Sequence, residues 1–583
     1  MRYNCFKCAS SIKMKKYLIT TIFAILLSVA LILFDIKEIF PLGMIWSGVL
    51  TVFIFALALW RPRQIFWIFI ALLPLESVIF LSLGNFISPR PFQIFGGLLI
   101  LAVFVRMIFG KNDFVPIRFQ GMFQGIKKMF KSKNKKDSLD EFFEKEAEQE
   151  KEIPHFCLLD LLIFVLPIFG FLSIVNASGE MLFVKQALIL TSFVFIYWLS
   201  RNYLRTKKNK FEAVWFLLVG SLPVIFYGIF QAIAFQNNWV DLEVFNGRIN
   251  ATFTEPDWFG IFLVFLLAVV FWMKFLLWNL TKEVMIGKWS LQKFGNRILD
   301  VYVLLIFIAL VLTVARSAWL GFVGVLLAYF GLLFFLFWQR KGKWAWNIFF
   351  RKPFVFIYSE IFYFVALVVL GVGLVYVFNL SSFNLGDRAG SSFSGMQKIT
   401  ISCKIDSGVP EKIQNIEELE GHGCRHINLE EAEQEKQSGL EIKEVYRPDP
   451  NIEIRKDVYS KTWQAIKSHW VLGQGIGSSG KILGQDENGA GLNASNIFLE
   501  TWISIGIFGV VILLLALFVP AISSCWKLIF SLFSSDRKID WPGISFVALV
   551  FMALVIPNLF NAGWLLGFFW VALAFFVDSF QKS

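Results

Sequence analysis

The sequence predicts an all-α polytopic membrane protein with about 12–14 transmembrane helices and one large extracytoplasmic loop. Three observations carry this. The chain is 57% hydrophobic with 68 phenylalanines and a mean hydropathy of +0.64, which excludes a string of soluble domains. Apolar runs long enough to cross a bilayer recur along nearly its whole length. The basic residues fall in alternate loops, as the positive-inside pattern requires, so the net charge of +12 does not imply nucleic acid.

The first apolar run, 17–36, follows Lys13, Lys15 and Lys16 and lacks a small-residue cleavage site, so it reads as a retained span. Further spans are predicted near 40–60, 64–83 and 92–110, completing an N-terminal membrane block, 1–110. Residues 111–155 are basic and then acidic, and read as a charged cytoplasmic linker. A central block, 156–379, holds spans near 156–176, 181–200, 211–235, 256–280, 298–316, 318–338 and 354–379. The large outward loop is 380–494, and the C-terminal block 495–583 carries spans near 495–522, 543–560 and 562–581. Threaded through these about fourteen spans, Arg61, Arg63, the 111–136 run, 201–210, Arg297, Arg351 and Arg537 share one side. The short loops opposite carry Lys37, Arg90 and Arg248, so both termini are expected in the cytoplasm.

Within the loop, an acidic stretch from Ile416 to Lys436 is helix-prone. Val458, Trp463, Ile466 and Trp470 follow at roughly helical spacing, before a Gly-rich turn at 473–480. A loop this long is usually functional, and it is expected to form a lid over the outer face. Cys403 and Cys424 lie on the oxidising side, where a disulfide can persist, although the sequence leaves their pairing open. Cys5 and Cys8 form a lone CxxC, and Cys157 and Cys525 sit at span ends. His422, Cys424 and His426 lack a well-spaced fourth ligand and read as loop residues.

No GxSxG, P-loop or HExxH motif is present. Carboxylates within spans, which ion-coupled transport would use, are few: Glu76, Asp160 and Asp578. Polar chemistry concentrates instead at the outer face. Arg248 precedes Asp257 at the start of one span, and Arg316 is placed at the end of another. Arg388 lies where the loop begins, and Arg455 and His469 lie where it returns. Ser495, Asn496 and Glu500 enter the next span, with Asn496 and Glu500 one helical turn apart. A guanidinium at a membrane boundary suits phosphate, because its planar fork donates two parallel, charge-assisted hydrogen bonds. Snorkelling to lipid headgroups is the competing explanation for each arginine taken alone.

These stretches resemble the O-antigen ligase and polymerase superfamily of bacterial membrane glycosyltransferases. "RINATFTEPDWFG" is similar to the family's Arg-x-x-Gly/Ala-Thr-Phe-x-x-Pro-Asn segment, with Arg248 at its arginine. "TVARSAWLG" resembles its Thr-x-Ser-Arg-x-x-x-Leu segment, with Arg316 at its arginine. "SNIFLETWISIGIFG" resembles its His-Asn-x9-Gly-x-x-Gly segment, where Asn496, Gly506 and Gly509 fit the spacing. The resemblance covers roughly 210–520. It departs from the pattern at Ser495, where the family has histidine, and at Asp257, where it has asparagine.

The resemblance implies glycan transfer from an undecaprenyl-pyrophosphate-linked oligosaccharide to a hydroxyl of a glycan, lipid or protein acceptor. The reaction would take place at the outer face of the bacterial cytoplasmic membrane, in surface polysaccharide synthesis. Arg248 and Arg316, with Arg388, Arg455 and Asp257, would bind the pyrophosphate and glycan. Ser495, Asn496, His469 and Glu500 are the candidate catalytic residues. No cofactor or metal is expected, since guanidinium groups would supply the positive charge. Two other classes use the same arginines: a flippase or transporter of lipid-linked glycan, and a non-catalytic glycan-binding assembly protein, which the serine at position 495 would suit.

Overall fold

The computed structural model describes residues 2–37, 39, 44–79, 89–109, 157–177, 180–239, 242, 247–279, 285–286, 289–341, 352–381, 395–404, 407–427, 432–485, 491–533 and 540–582. The charged linker 111–155, Arg388 and the side chains of Cys5 and Cys8 lie outside the described residues. The membrane-type helices are α1 (Arg2–Ile36), α2 (Met44–Trp60), α3 (Pro62–Leu72), α4 (Pro91–Ile108), α5 (Leu158–Leu172), α6 (Glu180–Tyr203) and α7 (Lys207–Gln236). They continue as α8 (Pro256–Asn279), α9 (Leu291–Leu312), α10 (Arg316–Lys341) and α11 (Lys352–Val377). After the loop helix α12 (Pro450–Ser468) come α13 (Ile497–Phe533), α14 (Trp541–Val555) and α15 (Gly567–Lys582). Eleven of the described helices are long and apolar enough to cross a membrane, and α2, α3 and α15 are shorter apolar helices. A polytopic α-helical membrane protein therefore stands, with a small hairpin (β1 Met285–Ile286, β2 Trp289–Ser290) and one loop sheet added to it.

Buried ion pairs sort the helix ends into two levels. At one level Arg201, near the end of α6, meets Asp160 in the first turn of α5 at 2.7 Å and Asp578 near the end of α15 at 2.7 Å. Lys210, in the first turn of α7, reaches the same Asp578 at 2.7 Å, and Tyr197 donates to Asp160 at 2.5 Å. The start of α5, the end of α6 and the start of α7 thus lie together, as antiparallel neighbours must. Lys274, near the end of α8, pairs with Asp300 of α9 and Glu360 of α11 at 2.5 and 3.6 Å. At the centre stands α8: 83% of its span is buried inside the protein, against 11% for the peripheral α11.

Three helices break inside the bundle, and the breaks meet. In the span predicted over 64–83, the 11-residue α3 stops at Leu72, because Pro74 cannot continue the helix. The span predicted over 562–581 likewise begins only at Gly567, after 3-10 turns at Pro557–Leu559 and Gly563–Leu565. The third break is the extended stretch before α8. Freed backbone groups in an apolar surround must find partners. The Glu76 and Ser77 N–H groups donate to the Thr252 carbonyl at 3.0 and 2.7 Å, and the Thr252 hydroxyl donates to the Pro74 carbonyl at 2.6 Å. Glu76 accepts from the Gly567 N–H at 2.7 Å and from Arg90. Gln231 accepts from the Ala251 N–H at 2.7 Å, and Asn558 from the Gly563 N–H at 2.8 Å.

The large loop between α11 and α13 holds a three-stranded antiparallel sheet in the order β4–β3–β5: β3 (Met396–Cys403), β4 (Cys424–His426) and β5 (Glu441–Pro448). Cys403 and Cys424 face each other across β3 and β4 and are joined as a disulfide, buried with Ile399, Ile401, Leu419 and Val445. With Cys424 so used, the 422–426 cluster offers no thiolate to a metal. Among the described residues, the acidic stretch expected to be helical forms helix at Glu418–Gly421 and Ala432–Gln437, with β4 intervening. Gly423, at φ +67, makes the turn into β4 that an L side chain resists. The later helix is present as α12, but only part of its predicted stripe is core: Val458 and Ile466 are buried, while Trp463 and Trp470 are exposed.

The buried pairs make two predictions. Arg201→Met strands Asp160 without counter-charge, leaves Asp578 with Lys210 as its partner, and lowers stability by about 3–5 kcal/mol, with part recovered by adding Asp160→Asn. Unfolding in detergent would check this, and an unchanged midpoint would refute it. Cys157 is part-buried at the start of α5, with its N–H donating to Asp160 at 2.8 Å, whereas Cys525 is exposed. Maleimide should therefore modify Cys157 much more slowly than Cys525 until the protein is unfolded.

Candidate functional site

The arginines meet at the turn between α9 and α10. Arg248 donates its Nε to the Thr313 carbonyl at 3.0 Å and Nη2 to Asp257 at 3.2 Å, while the adjacent Ile249 N–H donates to the Leu312 carbonyl at 3.3 Å. Three residues past Thr313, Arg316 is the first residue of α10 rather than the end of the preceding helix, which corrects the predicted boundary. Val314, at φ 52, makes the break, and no apolar-run count could see it. Arg316 therefore adds its charge to the positive end of a helix dipole, an arrangement that favours anions. Its Nη1 donates to Asp449 at 2.9 Å. Arg248 and Arg316 are each about a quarter exposed, at 23% and 28%, so both guanidinium groups remain reachable.

A chain of contacts extends the site to α13. Ser317, next to Arg316, accepts from Asn561 Nδ2 at 2.8 Å. In the same turn the Leu559 carbonyl accepts from Asn496 Nδ2 at 3.0 Å. The Arg455 guanidinium lies 5.6 Å from the centre of the Phe560 ring. Asn496 caps α13, its Oδ1 accepting the Phe498 and Leu499 N–H groups at 2.9 and 3.2 Å. Ser495 accepts at its carbonyl from the Tyr459 hydroxyl at 3.4 Å. The site so joins Arg248, Asp257, Arg316, Arg455, Ser495 and Asn496 around the starts of α8, α10 and α13.

Backbone strain marks the same three motifs. Among the described residues, non-glycine positive φ occurs at Asn238, Ala251, Val314, Asn379 and Ser495. The two asparagines follow helix ends, where that conformation is tolerated. Ala251, Val314 and Ser495 lie in the Arg248, Arg316 and Asn496 segments. Such strain costs of order 1–3 kcal/mol per residue and persists where the surroundings impose it.

Two candidates do not join the cluster as chemistry would need. His469 follows the last turn of α12, about 30 Å along the helix from Asp449 at 1.5 Å per residue. It is exposed and bonds Gln474 at 3.0 Å and Ser468 at 3.1 Å. Glu500 is buried and turned to the loop: it accepts from the Ala494 N–H at 2.8 Å and the Ser479 hydroxyl at 2.7 Å. Its geometry is that of a brace for the 494–496 turn. Farther along α13, Gly506 adopts φ 76 and breaks the helix, letting the Ile507 N–H reach the Trp470 carbonyl at 3.0 Å. A Cβ there would lie 2.0 Å from the Val471 carbonyl oxygen, which explains the glycine.

Sequence reasoning did not identify Asp449, Ser317 or Asn561. A signal existed for two of them. Asp449 stands in "RPDP", where Pro448 ends β5 and Pro450 begins α12, and Asn561 stands in "PNLFN", whose proline interrupts an apolar run. Arg447, two residues from Asp449, donates to Gln397 at 3.2 Å, and burial draws its guanidinium below the usual range while Asp449 opposes that.

The structure is that of a helical membrane protein in which two arginines, each paired with an aspartate, lie at the starts of α8 and α10 at one face. Residues 301–514 match the family model described as Wzy_C, O-antigen ligase. Over that segment the chain is similar to the O-antigen ligase family, in line with the resemblance its motifs carry. It spans Arg316, the large loop, Asn496 and Gly506, while the Arg248 segment lies before it and the Asn561 turn after it. No curated protein matches the sequence.

Glu500→Gln, which can still accept the Ala494 N–H, should retain transfer within about tenfold of wild type, whereas Glu500→Ala should lose the turn and the activity. A lost general base costs about 10²–10⁴-fold, so a fall of that size in the glutamine variant would make Glu500 a base instead of a brace.

Proposed function

We propose that the protein transfers a glycan from a polyprenyl-pyrophosphate-linked donor to an acceptor hydroxyl, at the membrane face that carries Arg248 and Arg316. The observation that carries this is the placement of both arginines on the 312–316 turn, one bonded to it and one opening the helix that follows. The acceptor oxygen bonds to the anomeric carbon as the bond from that carbon to the pyrophosphate oxygen breaks. The pyrophosphate leaves with the electron pair, and the hydroxyl proton ends on it or on solvent. Preorganised guanidinium groups and the start of α10 stabilise the charge that develops on the leaving group. They supply what a metal ion supplies elsewhere, and no cofactor enters. Ser495, at the family's histidine position, and Asn496 would shape the acceptor side, with Arg455 on the loop helix and Arg388 completing the glycan surface.

The basic residues at the Arg201 level support a cytoplasmic position for that face and for both termini. The Arg248 face and the loop would then be extracytoplasmic, in a bacterial inner membrane. The matched family supports surface-glycan synthesis as the setting. A polymerase would use a second lipid-linked glycan as acceptor, and a ligase a lipid, protein or other glycan hydroxyl.

The test is transfer in vitro, with purified protein, lipid-linked oligosaccharide and a panel of acceptors. Arg248→Ala and Arg316→Ala should each lower the rate by about 10²–10³-fold while the protein still inserts and folds. Normal transfer by both variants would refute the mechanism. Donor binding without product in the wild type would replace it with a carrier or scaffold role.

A further inference from the structure

Each candidate phosphate-binding arginine already holds one carboxylate. Arg248 pairs with Asp257 at 3.2 Å, and Arg316 pairs with Asp449 at 2.9 Å. The two aspartates differ in setting. Asp257 is 31% exposed in the first turn of α8, whereas Asp449 is 4% exposed and belongs to the outward loop. Pro448 and Pro450 stiffen its backbone, its N–H donates to the Gly395 carbonyl at 2.9 Å, and its carbonyl accepts the Ile452 N–H at 3.0 Å as α12 begins. The carboxylate on Arg316 is therefore delivered by the loop in a set position.

We propose that Asp449 is a specificity-determining residue that occupies Arg316 in place of the donor's phosphate and so excludes singly charged lipid headgroups from the site. The inference rests on the proposed role of Arg316 as a pyrophosphate ligand. A pyrophosphate diester carries two negative charges and can replace both aspartates at once, one phosphate per arginine. A phosphodiester headgroup carries one, so it competes with Asp449 as one monoanion against another, without the second contact that a linked phosphate makes at Arg248. This matters at a membrane boundary, where headgroup phosphates vastly outnumber any glycan donor and an unguarded arginine pair would bind them.

The displaced carboxylate has somewhere to go. Arg447 is two residues away on β5, its Nε has no hydrogen-bond partner among the described residues, and the Asp449 charge already acts on it. Donor binding would then transfer Asp449 from Arg316 to Arg447. The start of α12, which Asp449 anchors, would move with it.

The full-length protein in phosphatidylcholine nanodiscs tests this, with a fluorescent short-chain prenyl-pyrophosphoryl-N-acetylglucosamine as probe and phosphatidylglycerol added as competitor. Wild type should bind the probe with little effect of phosphatidylglycerol. Asp449→Asn, isosteric and still able to begin α12, should bind the probe about tenfold tighter in its absence. Phosphatidylglycerol should then weaken that binding several-fold. Equal or weaker probe binding by Asp449→Asn, or equal competition in both proteins, would overturn the inference. Arg316→Ala separates the two levels. If it binds the probe like wild type, the role of Arg316 falls; if it loses binding while Asp449→Asn gains nothing, only the role of Asp449 falls.

Discussion

The structure depends on satisfying backbone hydrogen bonds where helices break inside an apolar bundle. A freed N–H or C=O in such a setting costs several kcal/mol unless it is paired. The stretch 73–77 and the stretch 250–253 solve this together: the Thr252 carbonyl accepts two N–H groups from Glu76 and Ser77, and the Thr252 hydroxyl returns a bond to Pro74. Glu76, Gln231, Asn250 and Asn558 complete the pairing with side chains. Because the breaks are satisfied, α8, α10 and α13 can begin at one face and present their N-terminal ends to a common site. A bundle of unbroken helices would offer no such convergence.

The opposite level supplies rigidity. Arg201 ties α5, α6 and α15 together, and Lys210 adds α7. Buried ion pairs contribute little net stability against apolar packing, but removing one member is costly, so they fix which helix ends meet. Glu76, Asp160 and Asp578, the carboxylates that ion-coupled transport would use, are all engaged with arginine or lysine. Their geometry is that of cross-braces, and a fixed bundle is what a preorganised electrostatic site requires.

At the site's own face the charges are balanced differently. Arg248 and Arg316 are partly exposed and matched by Asp257 and Asp449, one from the bundle and one from the loop. Helix α12 lies against the site through Asp449, Arg455 and Tyr459, and against α13 through Ile466 and Ile503. The loop thereby takes part in the electrostatics around both arginines.

Much of this was legible in the chain itself. Hydropathy determined the helical membrane class, since runs such as 256–279 and 497–531 have no other stable fate in lipid. Motif order singled out Arg248, Arg316 and Asn496, which the fold does bring to one face. Tertiary structure alone decided that Arg316 opens a helix, because a single residue at positive φ, Val314, moves the boundary without changing composition. Only the fold could separate His469 from the cluster, place Glu500 beneath a turn, and bring Asp449 to Arg316 across 133 residues. Hydropathy and local propensity are sums over neighbours in sequence. Ion pairs between loop and bundle, and the breaks that satisfy one another, depend on contacts that no local window contains.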